Sequence, residues 1–277
     1  MTLEILISTL DEGISNVASM LLPEHDGIGY VVSWQHSDGK NHEAPHELMR
    51  SDVRVCHLSG RGLSRNRNNS IENARADVCL IADDDCRYSL EQLQQVVATF
   101  EYHRDVDVAT FMYSGEGNVK HYPSHQCNLS VFPKGYFVSS IEIAFRRQSV
   151  QGNVWFNEHF GLGTEPFHCG EEHLFINDAL QQGLTCHFFP ITIVHDQQPL
   201  EFLNRSVDPG TLMAHGAHLQ IFHSGTKLLR AVLKAYRLQR DERVPFLFGL
   251  RHIIKGMNHM KRNPEILKNK RKTMQQT

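Results

Sequence analysis

Three consecutive carboxylates, Asp83-Asp84-Asp85, close an apolar run, Cys79-Leu80-Ile81-Ala82. Adjacent carboxylates repel one another, so a fold holds them either in full solvent or around a cation. Hard oxygen ligands of this kind suit Mg²⁺ or Mn²⁺. A solvated turn and a metal–diphosphate site are both open from the triplet alone. Its place at the end of an apolar strand favours the second, because parallel sheets bind ligands outside the carboxyl ends of their strands. A further acidic pair, Glu171-Glu172, opens a helical pattern. One of these carboxylates can take a proton from a hydroxyl as general base, or the pair can simply complement the helix dipole. His195 ends the apolar stretch Ile191–Val194 and is a candidate ligand, although a lone histidine there is often a plain surface or core residue. Gly161 and Gly163 suggest a loop bent closely around a ligand, and Trp155 and Phe156 suit either a sugar ring or a core.

The elements that must position these groups alternate in type. Apolar runs at Leu3–Leu10, Ile28–Trp34, Val53–Leu58 and Asp77–Ala82 read as strands, with an exposed polar helix over Leu63–Arg75. Ser89 and Gln92 form a capping box ahead of Leu90, Leu93, Val96, Val97 and Phe100 at helical spacing. Val106–Tyr113 returns to strand character. Glu171–Gln182 reads as a helix stopped by Gly183, followed by two strands, Cys186–Phe189 and Ile191–Val194. This alternation predicts an α/β fold with a mostly parallel sheet. Residues 116–170 give no clear pattern.

Charge divides the chain. Residues 1–226 hold 14 Lys/Arg against 28 Asp/Glu, net −14, whereas 227–277 hold 14 against 3, net +11. Two basic amphipathic helices, Leu228–Arg240 and Phe246–Met257, are expected in this tail, separated near Pro245. Their apolar faces can dock on the body or lie at an anionic membrane surface. No apolar run is long enough for a transmembrane helix, and Met1–Ile7 reads as a first strand rather than a signal peptide. The six cysteines show no CxxC spacing, which fits a reducing cytoplasm and free thiols. An acidic body without a basic, aromatic-lined groove argues against a nucleic-acid partner.

Taken together, Gly62-Leu63-Ser64-Arg65-Asn66-Arg67-Asn68 and Ala76–Asp85, then Phe156–Gly161 with Gly170–Phe175, then Phe188–His195, resemble glycosyltransferase family 2 in order and spacing over about residues 1–200. The resemblance implies a GT-A fold, a Rossmann-like mixed sheet flanked by helices, over 1–225, with 226–277 as a helical extension. It implies a nucleotide-diphospho-sugar donor and a saccharide or lipid-linked acceptor, with inversion at the anomeric carbon. Bacterial surface polysaccharide or glycolipid synthesis is the implied setting, in the cytoplasm or on the inner face of the cell membrane. Position by position, Asp83 and Asp84 would meet the donor, with Asp83, Asp85 and His195 around Mn²⁺ or Mg²⁺. Thr9, Leu10 and Glu12 would border the nucleotide and Arg65 its phosphates. Glu172 would be the base, with Glu171 beside it. Two positions depart from the family: Ser33-Trp34-Gln35-His36 replaces Asp-Asp-Gly-Ser, leaving Gln35 to read the base, and Glu171-Glu172 replaces Glu-Asp. A nucleotide-sugar hydrolase, a nucleotidyltransferase and a non-catalytic membrane-associated scaffold are the alternatives.

Overall fold

The computed structural model describes residues 1–115, 120–196, 207–242 and 244–267. The expected tail beyond residue 267 therefore lies outside the described residues. The strands are β1 (Leu3–Leu10), β2 (Ile28–His36), β3 (Val53–Ser59), β4 (Val78–Asp83), β5 (Cys86–Arg87), β6 (Val108–Gly115), β7 (Cys127–Asn128), β8 (Ile143–Arg146) and β9 (Cys186–Asp196). The helices are α1 (Ile14–Val17), α2 (Leu63–Asn73), α3 (Leu90–Tyr102), α4 (Arg147–Val150), α5 (Glu171–Gln181), α6 (Pro209–Phe222), α7 (Lys227–Glu242) and α8 (Phe246–Arg262). The described residues fall into two compact units. One comprises Met1–Arg61, Arg65–Phe156 and Glu172–Leu200; the other comprises Gly62–Ser64, Asn157–Glu171 and Glu201–Thr277.

The first unit is built on one mixed sheet in the order β3-β2-β1-β4-β8-β6-β9-β5, with β7 also paired to β9. β3, β2, β1 and β4 are mutually parallel, and β8 runs antiparallel to both β4 and β6. Both faces of the parallel part are covered, which is why its strands read as continuous apolar runs rather than alternating ones. Ile5, Ile7, Val32 and Leu80 pack with Leu93, Val96 and Phe100 of α3. Leu6, Val31, Cys79 and Ile81 pack on the other face with Ile71 of α2 and with Phe175 and Ile176 of α5. The capping box at Ser89 and Gln92 is present, with both reciprocal hydrogen bonds formed. Register brings Leu10 beside Gln35, Gln35 beside Leu58, and Ser8 beside Asp83, so the carboxyl ends of four strands share one edge.

Two expectations need correction. The helix over 63–73 is not an exposed one: Ser64, Asn66, Arg67, Asn68 and Ser70 are all buried. Its polar side chains are spent inside the protein, as where Asn68 donates to the Phe156 carbonyl and accepts from the Phe156 N–H. The segment 186–196 is one strand, not two. Pro190 lacks an N–H, and β9 absorbs this with register shifts against β6 between Thr110 and Tyr113.

The second unit is helical and includes α6, which the sequence reading did not find, together with 157–171. It therefore reaches further back than the expected boundary at residue 225. Its core joins Leu212, Ala231, Ala235, Leu238, Val244, Ile253 and Met257. α6 and α8 cross with their backbones in contact. A Cβ on Gly216 would stand 1.9 Å from the Ile253 carbonyl oxygen, and one on Gly256 would stand 1.9 Å from that of Met213. Glycine lowers helix propensity, so its presence inside both helices answers this close approach. Gly216→Ala should cost about 3 kcal/mol and lower Tm by roughly 8 °C, readable by calorimetry. An unchanged Tm would mean the helices do not cross this closely. No described helix is long and apolar enough to cross a membrane.

Candidate active site

The carboxyl edge of β1, β2 and β4 concentrates polar groups. β4 delivers Asp83, and the turn after it carries Asp84 and Asp85. Arg67 of α2 is buried, and its Nη2 donates to Asp83 Oδ1 at 3.0 Å and to Ser140 Oγ at 2.7 Å. Its Nη1 stands 3.7 Å from Glu172 Oε1. The guanidinium lies over the Phe156 ring at 5.4 Å, and Phe156 stacks on Phe175 at 4.4 Å. Phe156 and Trp155 are thus core residues rather than an open sugar platform. One cation ties the first aspartate of the triplet to the candidate base.

The three aspartates divide. Asp84 turns inward, accepting from Thr9 Oγ1 at 2.5 Å, and burial raises its pKa above the ordinary carboxylate value. It therefore ties the turn after β4 to the end of β1. Asp85 stays half-buried in the turn. His195 is exposed on β9 opposite Arg87, with Nδ1 3.1 Å from Ser114 Oγ. Among the described residues no three His, Cys, Asp or Glu side chains converge as metal ligands, so Asp83, Asp85 and His195 do not form the expected triad. What remains is a carboxylate set. Mg²⁺ and Mn²⁺ are commonly held by one or two carboxylates and completed by water and phosphate oxygens, and Asp85 with Asp83 fits that demand.

The residues expected around the nucleotide also separate. Thr9 and Gln35 are buried, Leu10 and Glu12 are exposed. Arg65 is exposed and donates through Nη1 to the Ser59 carbonyl at 2.8 Å, so it is Arg67, two residues on, that enters the interior. The signal for this was the Arg67-Asn68 pair in the segment already singled out. Asp11 was also missed: it takes a left-handed φ of 48° after β1. Its carbonyl accepts from Trp34 Nε1 and its carboxylate from the Ser37 N–H, each at 2.8 Å. The Ser37 hydrogen bonds lower its pKa. Four buried polar atoms at this edge make no hydrogen bond within the protein: Ser8 Oγ, Gln35 Nε2, His36 Nδ1 and Asn66 Oδ1. Buried polar atoms are usually satisfied, so each of these is open to a further polar partner; strand alternation turns His36 to the face opposite Gln35, against Trp34.

The segment with no sequence pattern supplies a buried ion pair. Lys120 Nζ donates to Glu142 Oε2 at 2.6 Å and to Ser139 Oγ at 3.1 Å, and Tyr122 donates to Glu142 Oε1 at 2.5 Å. Burial pushes Glu142 up and Lys120 down, while their mutual attraction opposes both shifts. This network fixes the 139–142 turn, whose Ser140 reaches Asp83 at 3.4 Å. In the other unit, Glu171 is buried, and Gly161, with φ of 109°, lets the loop pass its carboxyl group: a Cβ there would stand 3.2 Å from Glu171 Oε1. Glu172, by contrast, faces Arg67.

Residues 38–163 match the family described as Glycosyl transferase family 2. Among solved structures, S. aureus TarS 1-349 in complex with UDP-GlcNAc is similar with a TM-score of 0.54 at 13% identity, covering 96% of this chain and 92% of that one. The same protein in complex with UDP gives 0.52 at 14% identity, with 98% and 89% covered. A longer TarS chain gives 0.53 at 15% identity; 87% of this chain is covered, and it spans 43% of that one. No curated protein matches the sequence. The sheet with its flanking helices is the GT-A fold. The chain thus has the GT-A fold, and its residues 38–163 are similar to glycosyltransferase family 2.

Proposed function

We propose that this protein moves a sugar from a nucleotide-diphospho-sugar to an acceptor hydroxyl with inversion, in the synthesis of a cell-surface polysaccharide or glycolipid. The observation that carries the reading is the carboxyl edge itself. Asp83 stands there in register with Ser8, and the buried Ser8 Oγ, Gln35 Nε2 and Asn66 Oδ1 make no hydrogen bond within the protein. A uridine diphosphate donor is favoured, since the related TarS structures are complexes with UDP and UDP-GlcNAc. The carboxamide of Gln35 can offer a donor and an acceptor to a pyrimidine edge.

Glu172 serves as general base, taking the proton of the acceptor hydroxyl as its oxygen bonds to the anomeric carbon and the bond to the diphosphate breaks. Its place in the first turn of α5 and the nearby Arg67 stabilise and orient the carboxylate. Arg67 also fixes Asp83, so donor and acceptor sides share one positioning residue. Asp85, with Asp83 beside it, would hold Mn²⁺ or Mg²⁺, which when bound supplies positive charge to the leaving diphosphate. The acceptor is a saccharide or a lipid-linked saccharide, and the basic helices of 226–277 meet an anionic membrane surface at the cytoplasmic side.

Incubation with UDP-, GDP- and dTDP-sugars and Mn²⁺ tests the reading by chromatography of the released nucleotide. Release of a nucleoside diphosphate that rises with added acceptor and stops in chelator is the expected result. Release of a sugar phosphate and a nucleoside monophosphate would assign a hydrolase instead. Consumption of a nucleoside triphosphate with release of pyrophosphate would assign a nucleotidyltransferase.

A further inference from the structure

α7 keeps two apolar faces, and only one of them is buried. Ala231, Ala235 and Leu238 pack inward in the helical core. On the other side Leu228, Val232 and Tyr236, at i, i+4 and i+8, lie beside Leu229 and Leu233 in a stripe that runs for more than two turns. These five side chains are 63%, 44%, 58%, 64% and 47% exposed. At the start of α8, Leu247 and Phe248 are exposed as well, at 77% and 41%. Soluble surfaces carry single exposed apolar side chains routinely, but contiguous stripes of large ones mark interaction sites. One face of α7 thus packs within the helical unit, and the other is exposed.

We infer that the Leu228–Tyr236 face of α7 lies in the interface of an anionic lipid bilayer, with the helix axis parallel to the surface. The inference rests on the proposed anionic-surface role of 226–277 and is independent of the donor chemistry. Charge selects the occupant. From Lys227 to Arg240 the helix carries Lys227, Arg230, Lys234, Arg237 and Arg240, with no acidic residue before Asp241. Arg230 and Arg237 are exposed along one border of the stripe, and Arg251 and Lys255 are exposed on α8 in line with Leu247. Such cations reach headgroup phosphates while the apolar side chains enter the acyl boundary. A two-fold dimer through the same face would instead bring two like-charged helices together, which opposes that pairing.

Co-sedimentation with vesicles tests this on the full chain. With equimolar phosphatidylcholine and phosphatidylglycerol the protein should sediment, and with phosphatidylcholine alone it should stay in solution. Added salt should weaken binding, since it screens the headgroup attraction. Leu229→Glu with Leu233→Glu should lower the bound fraction roughly tenfold at unchanged Tm, because both side chains already face solvent. Val232→Trp should show a blue-shifted emission only with the anionic vesicles. Equal binding to both vesicle types, or no binding to either, would overturn the inference. So would sedimentation-velocity dimerisation that the double glutamate variant abolishes, which would give the face to a second copy. Nucleotide binding measured on the same preparations keeps the outcome separate from the transfer reaction.

Discussion

Glu172→Gln should lower kcat by about 10²- to 10⁴-fold while leaving the KM for the donor within a few-fold of its starting value. The amide keeps the shape of the side chain and can still meet Arg67, but it cannot take the acceptor's proton. The loss should therefore fall on the chemical step rather than on donor binding. Stopped-assay kinetics with saturating donor read this directly. A kcat unchanged in the variant would move the base elsewhere. Glu171 is the neighbouring alternative, yet it is buried with Gly161 pressed to its carboxyl group, so Glu171→Gln should affect stability more than the split between kcat and KM.

Arg67→Met should be the most damaging single change to stability at this site. The guanidinium is 2% exposed and stands between Asp83, at 3.0 Å, and Glu172, at 3.7 Å. Removing one partner of a buried ion pair leaves the others uncompensated and typically costs about 3–5 kcal/mol. Asp83 is 29% exposed and Glu172 18%, so water recovers part of that penalty and the lower end, about 3 kcal/mol, is expected. Urea unfolding monitored by circular dichroism measures it. Arg67→Lys separates charge from geometry. An ammonium restores the positive charge but cannot reach Asp83, Ser140 and Glu172 together, so stability should recover more than activity does. Equal recovery of both would show that charge alone matters there.

The parts that could be read from the sequence were those set by local periodicity. β1 to β4, the α3 capping box and the start of α5 follow from apolar runs, a Ser-x-x-Gln spacing and an acidic first turn. The acidic triplet was correctly placed at a strand end, but not the different orientations of its members. Whether an aspartate turns in to Thr9 or out to solvent depends on the turn between elements far apart in sequence. α2 misled for a related reason: a helix of Ser, Arg and Asn looks solvent-facing until its partners are known, and those lie as far off as Phe156 and Ser140. The Lys120–Glu142 pair had no sequence signal, since neither residue belongs to a periodic segment. α7 held the opposite surprise. Leu228, Leu229, Val232, Leu233 and Tyr236 face out, while Ala231 and Ala235 pack inward with Leu238 on the other face.

A nucleotide-diphospho-sugar should bind at the carboxyl edge of β1, β2 and β4. Crystals soaked with Mn²⁺ and UDP, and in parallel with GDP and dTDP, test it most directly. Density is expected for one nucleotide, with its base beside Thr9 and Gln35 and its diphosphate at Asp85. Density for a nucleotide at another surface, or none at saturating concentration in crystals that leave this edge open, would contradict it.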